Sequence, residues 1–151
     1  MALSGKLRGK DYRVYTVLGD GEIEEGQVWE AAMFAGNKEL DNLVAIVDYN
    51  NLQIDGTLDE VNSPYPIDKK FDAFNWNVIT IDAHCFSQIE DAFNKAKECK
   101  GKPTCIVAKS VKGKGVSFME NKCNWHGSAP NEEQYNIAME ELKAAMAELE
   151  A

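Results

Sequence analysis

The sequence predicts an α/β domain with a parallel sheet flanked by helices. Four short apolar runs, Val14 to Leu18, Leu43 to Tyr49, Val78 to Ile81 and Thr104 to Ala108, are rich in Val, Ile and Leu and lack clean polar alternation. Strands buried on both faces have that composition. Helical patterns lie between and after these runs, and strands alternating with helices read as parallel crossover units. At 151 residues the chain falls within the size of one domain and can bury a core without disulfides or a structural metal.

The first strand is followed by Glu24 to Asn37, in which Val28, Ala31, Ala32 and Ala35 recur at helical spacing. With Gly36, these alanines leave one side of the helix small, which suits close approach of a second subunit or helix and equally suits ordinary core packing. Ser87 to Lys100 carries Ile89, Ala92, Phe93, Ala96 and Cys99 on one face. Ser87 and Glu90 predict a capping box there, and Gly101 and Pro103 a stop. From Asn131 onward Tyr135, Ala138, Met139, Leu142, Met146 and Leu149 form an apolar stripe, opened by a second predicted box, Asn131 with Gln134. Two segments exceed ordinary connections and are predicted binding loops: Asn50 to Pro66 and Ser110 to Pro130.

Composition excludes several functions. Charged residues at 27% and no apolar stretch near the roughly 20 residues of a membrane span argue against a membrane role. MALSGKLRGK lacks the apolar core and cleavage site of a signal peptide, so a cytoplasmic location is expected. Cys85, Cys99, Cys105 and Cys123 show no zinc spacing and are expected to be reduced structural thiols. A formal net charge of −9 repels nucleic acid and anionic lipid alike. The same charge means that any phosphate ligand needs a local cation.

The first strand runs into Gly19-Asp20-Gly21 and the second into Asn50-Asn51. In a parallel crossover unit both motifs lie on one edge of the sheet, where the Asp20 carboxylate and the Asn50 carboxamide oxygen can converge. Two hard oxygen donors suit Mg2+, which takes one or two protein carboxylates and completes its six oxygens with phosphate and water. Gly19 and Gly21 let the backbone approach a diphosphate, and the next helix is expected to direct its N-terminal amides there. Alone, Asp-Gly is a common turn and Asn-Asn a common loop; their pairing at two strand ends favours the ligand site.

GDGEIEEG followed by VDYNNLQIDG resembles the thiamine diphosphate motif of transketolases, and SVKGKGVSFMENKCNWHG resembles the loop that follows this domain's last strands. The likeness covers essentially the whole chain and is greatest to the N-terminal subunit of bacterial transketolases split into two genes. It implies a partial thiamine diphosphate-binding fold in which Asp20 and Asn50 hold Mg2+ (or Ca2+) by their side chains and Leu52 by its carbonyl. Gly21 and Asn50 would contact the diphosphate. His126 would face both cofactor phosphates and sugar, although on residues alone it reads as a loop histidine. Glu25 would join a carboxylate network across a subunit interface, or serve only as a first-turn glutamate favoured by the helix dipole. His84 is expected to be structural or at the surface. The glycine-lysine run Lys112 to Gly115 misses the nucleotide phosphate-loop pattern and reads more readily as a solvated turn than as part of an active-site loop.

The resemblance also implies what is missing. Residues 1–151 would be a single domain truncated at its N-terminus, with Met1 within or just before an internal helix and an exposed sheet edge prone to aggregation. A C-terminal transketolase subunit would supply the pyrimidine-binding domain, within an oligomer acting on sugar phosphates in the pentose phosphate pathway, and the chain alone would be inactive. A 2-oxo acid dehydrogenase E1 component and 1-deoxyxylulose-5-phosphate synthase share the paired motif. Outside that class stand a non-catalytic module binding a diphosphate or a partner, and an incomplete gene product.

Overall fold

The computed structural model describes residues 1–150. A short helix α1 (Ala2–Leu7) leads into β1 (Val14–Gly19), α2 (Gly26–Asn37) and β2 (Leu43–Tyr49). A small hairpin, β3 (Leu52–Gln53) and β4 (Gly56–Thr57), precedes the short helices α3 (Leu58–Val61) and α4 (Ile67–Ala73). Then come β5 (Asn77–Asp82), α5 (Phe86–Glu98), β6 (Thr104–Lys109) and the terminal helix α6 (Glu132–Glu150).

The main sheet has four parallel strands in the order β1-β2-β6-β5. It joins two crossover units, β1-α2-β2 and β5-α5-β6, by their second strands. That puts β6 in the interior of the sheet, where Thr104 through Ala108 are all buried, as its unbroken apolar run requires. Register aligns the carboxyl ends, with Gly19 opposite Asp48, Tyr49 opposite Lys109 and Lys109 opposite Asp82. One face packs Ala45, Val47, Cys105 and Val107 against α2 and α4. The other packs Val44, Ile106 and Ala108 against Ala92 and Ala96 of α5.

The small side of α2 is used within the chain. Gly36 lies against the Phe74 carbonyl, and the Trp76 indole donates to the Ala32 carbonyl at 2.8 Å. Phe71 stacks between Trp29 and Trp76, with both centroid distances 5.2 Å. Arg13, just before β1, donates to the carbonyls of Asp41, Ala96 and Lys97 at 2.8–3.2 Å. It thereby satisfies the orphan carbonyls at the end of α5.

The expected α/β class, all four strands and the three longer helices are present, with two corrections at helix starts. The first helix begins at Gly26, because Glu22–Glu24 form a 3-10 turn and Glu25 is an extended N-cap. The Ser87–Glu90 box does not form. Helix α5 starts at Phe86 behind Cys85, where the Asp82 N–H donates to Gln88 at 2.9 Å and holds the turn one residue earlier. The Asn131–Gln134 box is present, with reciprocal bonds of 2.9 Å. The stripe on α6 is buried only at Ala138, leaving Tyr135, Leu142, Met146 and Leu149 exposed. At the sheet edge Tyr15 and Val17 of β1 are also exposed.

A Cβ built on Gly36 would lie 1.8 Å from the Phe74 carbonyl oxygen, whereas one on Gly26 meets nothing within 4 Å. Gly36→Ala is therefore expected to lower stability by about 3 kcal/mol, at the upper end for overpacking. Gly26→Ala should leave it unchanged or slightly higher. Denaturant unfolding of the purified variants checks both.

Candidate functional site

The site is assembled where β1 and β2 end. The Asp20 N–H donates to the Asp48 carbonyl at 3.2 Å, carrying the β1–β2 pairing one residue further. The Asp20 side chain is only 1% exposed. One carboxylate oxygen accepts the Gly21 N–H at 2.9 Å and the other the Asn51 N–H at 2.5 Å. Asn51 has φ +65°, a left-handed conformation that asparagine tolerates, and the Tyr65 hydroxyl steadies it with a 2.9 Å bond to Oδ1. Beside it, Asn50 donates from Nδ2 to Asp48 at 3.1 Å and accepts the Leu52 N–H at 3.0 Å, which opens the β3–β4 hairpin. Gln53 then donates to Glu24 at 2.8 Å and draws the hairpin against the turn after β1. Gly21 must be glycine here, because a Cβ would sit 2.9 Å from Gln53 Cβ.

Burial raises the Asp20 pKa by stripping water from the carboxylate, and the nearby Asp48 charge adds to the rise. Backbone amides of Asn51, Gly21 and Asn50 pull the other way without making up the difference. The one ion pair among the described residues joins Lys114 and Glu120, so no side-chain cation compensates Asp20. A buried carboxylate beside a carboxamide is a donor set that suits a hard divalent cation.

The opposite wall comes from the loop after β6. Asp20, Gly21, Asn50, Leu52, Lys112 and His126 line one cleft of about 430 Å³, within the usual size of ligand pockets. His126 ends a 3-10 turn, Cys123–Trp125, whose Trp125 packs on Phe118 at 5.3 Å and donates to its carbonyl at 3.0 Å. Lys112 Nζ lies 3.3 Å from His126 Nδ1. An ammonium only donates, so Nδ1 must accept and the imidazole proton sits on Nε2.

The profile of the family described as transketolase, thiamine diphosphate binding domain, matches residues 6–147. The chain belongs to this family. It is 45% identical over 143 residues to a 6-deoxy-6-sulfo-D-fructose transketolase subunit of a Clostridium species, covering 95% of this chain and 52% of that protein. With a subunit of the apulose-4-phosphate transketolase of Phocaeicola vulgatus it shares 39% identity, over 99% of this chain and 53% of the relative. The chain thus spans about half the length of these curated relatives. The crystal structure of Campylobacter jejuni transketolase superposes with a TM-score of 0.82 at 33% identity, covering 87% of this chain and 20% of that one. The parallel sheet is therefore the transketolase thiamine diphosphate-binding fold.

Within that fold, five of the six residues singled out by the sequence come together: Asp20, Gly21, Asn50, Leu52 and His126. Glu25 does not. It is exposed at the N-cap of α2 without a side-chain cap bond. Helix α2 contributes no residue to the cleft; the 3-10 turn before it contributes Glu22. Sequence reasoning missed Asp48, whose signal was a lone charge inside an apolar strand. It also took Lys112 to Gly115 as one unit, leaning to a solvated turn, whereas Lys112 lines the cleft and Lys114 pairs with Glu120.

Because the folded pKa of Asp20 is raised above 3.8, its protonation favours the folded state. That contribution is complete below the unfolded value and is lost as pH rises through the folded one. In metal-free buffer the stability of the wild type relative to Asp20→Asn is expected to decline as pH rises, measured by denaturant unfolding at a series of pH values.

Proposed function

We propose that this chain is the cofactor-anchoring part of a transketolase, which moves a two-carbon ketol unit from a ketose phosphate to an aldose phosphate. The observation that carries the reading is the convergence of Asp20, Asn50 and His126 on one cleft in a chain of this family. Asp20 and Asn50 would hold Mg2+ (or Ca2+) through side-chain oxygens and Leu52 through its carbonyl. Gly21 and Asn50 would contact the diphosphate. Thiamine diphosphate, when bound, supplies the nucleophilic carbon and the electron sink.

This chain's own contribution is orientation and proton placement. Lys112 offsets negative charge at the mouth of the cleft, and its bond to Nδ1 leaves the His126 Nε2–H free to donate to a phosphate or sugar oxygen. The substrates are anionic sugars. Two relatives carry names that specify such sugars, 6-deoxy-6-sulfo-D-fructose and apulose 4-phosphate.

Both relatives are named as subunits, which supports a second polypeptide completing the enzyme. That partner is the C-terminal transketolase subunit with the pyrimidine-binding domain, and the assembly is a cytoplasmic oligomer of the pentose phosphate pathway. Glu25, exposed at the start of α2, is available there as a catalytic-network carboxylate across the interface. Among the described residues no helix is long and apolar enough to cross a membrane.

Reconstitution with the partner tests the proposal. The pair should transfer ketol units from ketose phosphates and not act on pyruvate. Asp20→Ala should weaken Mg2+ and thiamine diphosphate binding by about 100-fold in calorimetry, since losing even an outer-sphere group costs 10–100-fold. His126→Ala should lower kcat/KM by about 100-fold and weaken thiamine diphosphate binding less than Asp20→Ala does. Full activity in both variants would sink the reading.

A further inference from the structure

We propose that His84 is a positioning residue that latches the loop carrying Lys112 and His126 to the sheet. The inference rests on the transketolase reading of the cleft, and the observation behind it is a single hydrogen bond: the Val111 N–H donates to His84 Nε2 at 2.9 Å.

The alternation of the parallel sheet explains why this bond matters. Lys109 bonds toward β5, its carbonyl accepting the Ala83 N–H at 2.8 Å, and Ser110 bonds toward β2, its N–H reaching the Tyr49 carbonyl at 3.0 Å. The next amide, Val111, is due to bond toward β5 again. By then β5 has ended. The chain turns at Asp82, whose carbonyl accepts the Cys85 N–H at 3.2 Å and whose carboxylate accepts the His84 N–H at 2.8 Å. The imidazole of His84 stands in for the carbonyl that a longer strand would have supplied. Since the backbone N–H can only donate, Nε2 must accept and the ring proton sits on Nδ1.

The latch lies one residue before Lys112. On the β2 side Ser110 Oγ donates to Asp48, so the loop leaves the sheet held from both neighbouring strands. Beyond the latch, the Lys112 carbonyl accepts the Asn121 N–H at 3.0 Å and Lys112 Nζ meets His126 Nδ1 at 3.3 Å. A loosened Val111 would therefore swing both groups facing the cleft. His84 touches no part of the cleft and acts only through Val111.

The test compares His84→Gln, which keeps an acceptor within reach of Val111, with His84→Phe, which keeps a ring without one. The full-length protein is used, by itself and with its partner. His84 is exposed, so both variants should fold with the wild-type denaturation midpoint. In His84→Phe the Val111 amide should exchange about fivefold faster by NMR, the loss of one ordinary hydrogen bond. The reconstituted His84→Phe enzyme should lose a similar factor in kcat/KM for the donor sugar, and His84→Gln should restore both. Unchanged Val111 exchange in His84→Phe, or a His84→Gln variant as impaired as His84→Phe, overturns the latch. If the wild-type pair transfers no ketol unit, the functional reading fails by itself, and the exchange measurement still decides whether the latch exists.

Discussion

The carboxylate of Asp20, buried where the first strand of the sheet ends, is the constraint on which the site depends. Isolated carboxylates are costly to bury, and each amide bond to a charged group returns only about 1.5–3 kcal/mol. Two such bonds, from Gly21 and Asn51, hold the group in place, yet its pKa remains raised. A negative charge at this position is therefore resisted by its surroundings. A divalent cation bound beside it would offset that charge and has the hardness a carboxylate oxygen suits.

Asp48 spreads the consequences of that burial. Its side chain accepts from Asn50 and from Ser110, so the loop after β2 and the loop after β6 are rooted in one residue. The parallel register makes this work by bringing the ends of β1, β2 and β6 to one level. Motifs far apart in sequence thus share a wall of the cleft because the sheet aligns its carboxyl ends, the general place for ligands in open α/β sheets.

The four strands were legible because their apolar runs are long and uninterrupted, and the paired Gly19-Asp20-Gly21 and Asn50-Asn51 motifs because they follow those runs directly. Helix α4 escaped notice: Ile67 and Phe71 are its only buried residues, too few in one short helix to set a period. The β3–β4 hairpin was hidden for a related reason, since its strands have two residues each and owe their pairing to tertiary contacts with Asp20 and Glu24. Ser87 failed as a cap because Gln88 and Asp82 form a competing turn that no local pattern announces. Lys112 and Lys114 look alike in sequence, and only the left-handed Gly113 between them, φ +73°, sends one to the cleft and the other to Glu120.

Charge ties these features together. With a formal net charge of −9, the surface as a whole repels a diphosphate or a sugar phosphate, though salt screens that repulsion beyond about 10 Å. Attraction must then be short-ranged and local. The cleft has Asp20, Glu22 and Asp48 on one wall and Lys112 with His126 on the other, so an anion on the acidic wall would need a divalent cation to reverse the local sign. A cation bound there would in this sense be part of an anion site. Among the described residues Lys112 and His126 are the only basic side chains lining the cleft, and their placement depends on the root of the loop at Ser110 and Val111. The acidic and the basic wall are thereby joined through Asp48, which accepts from Asn50 on one side and Ser110 on the other.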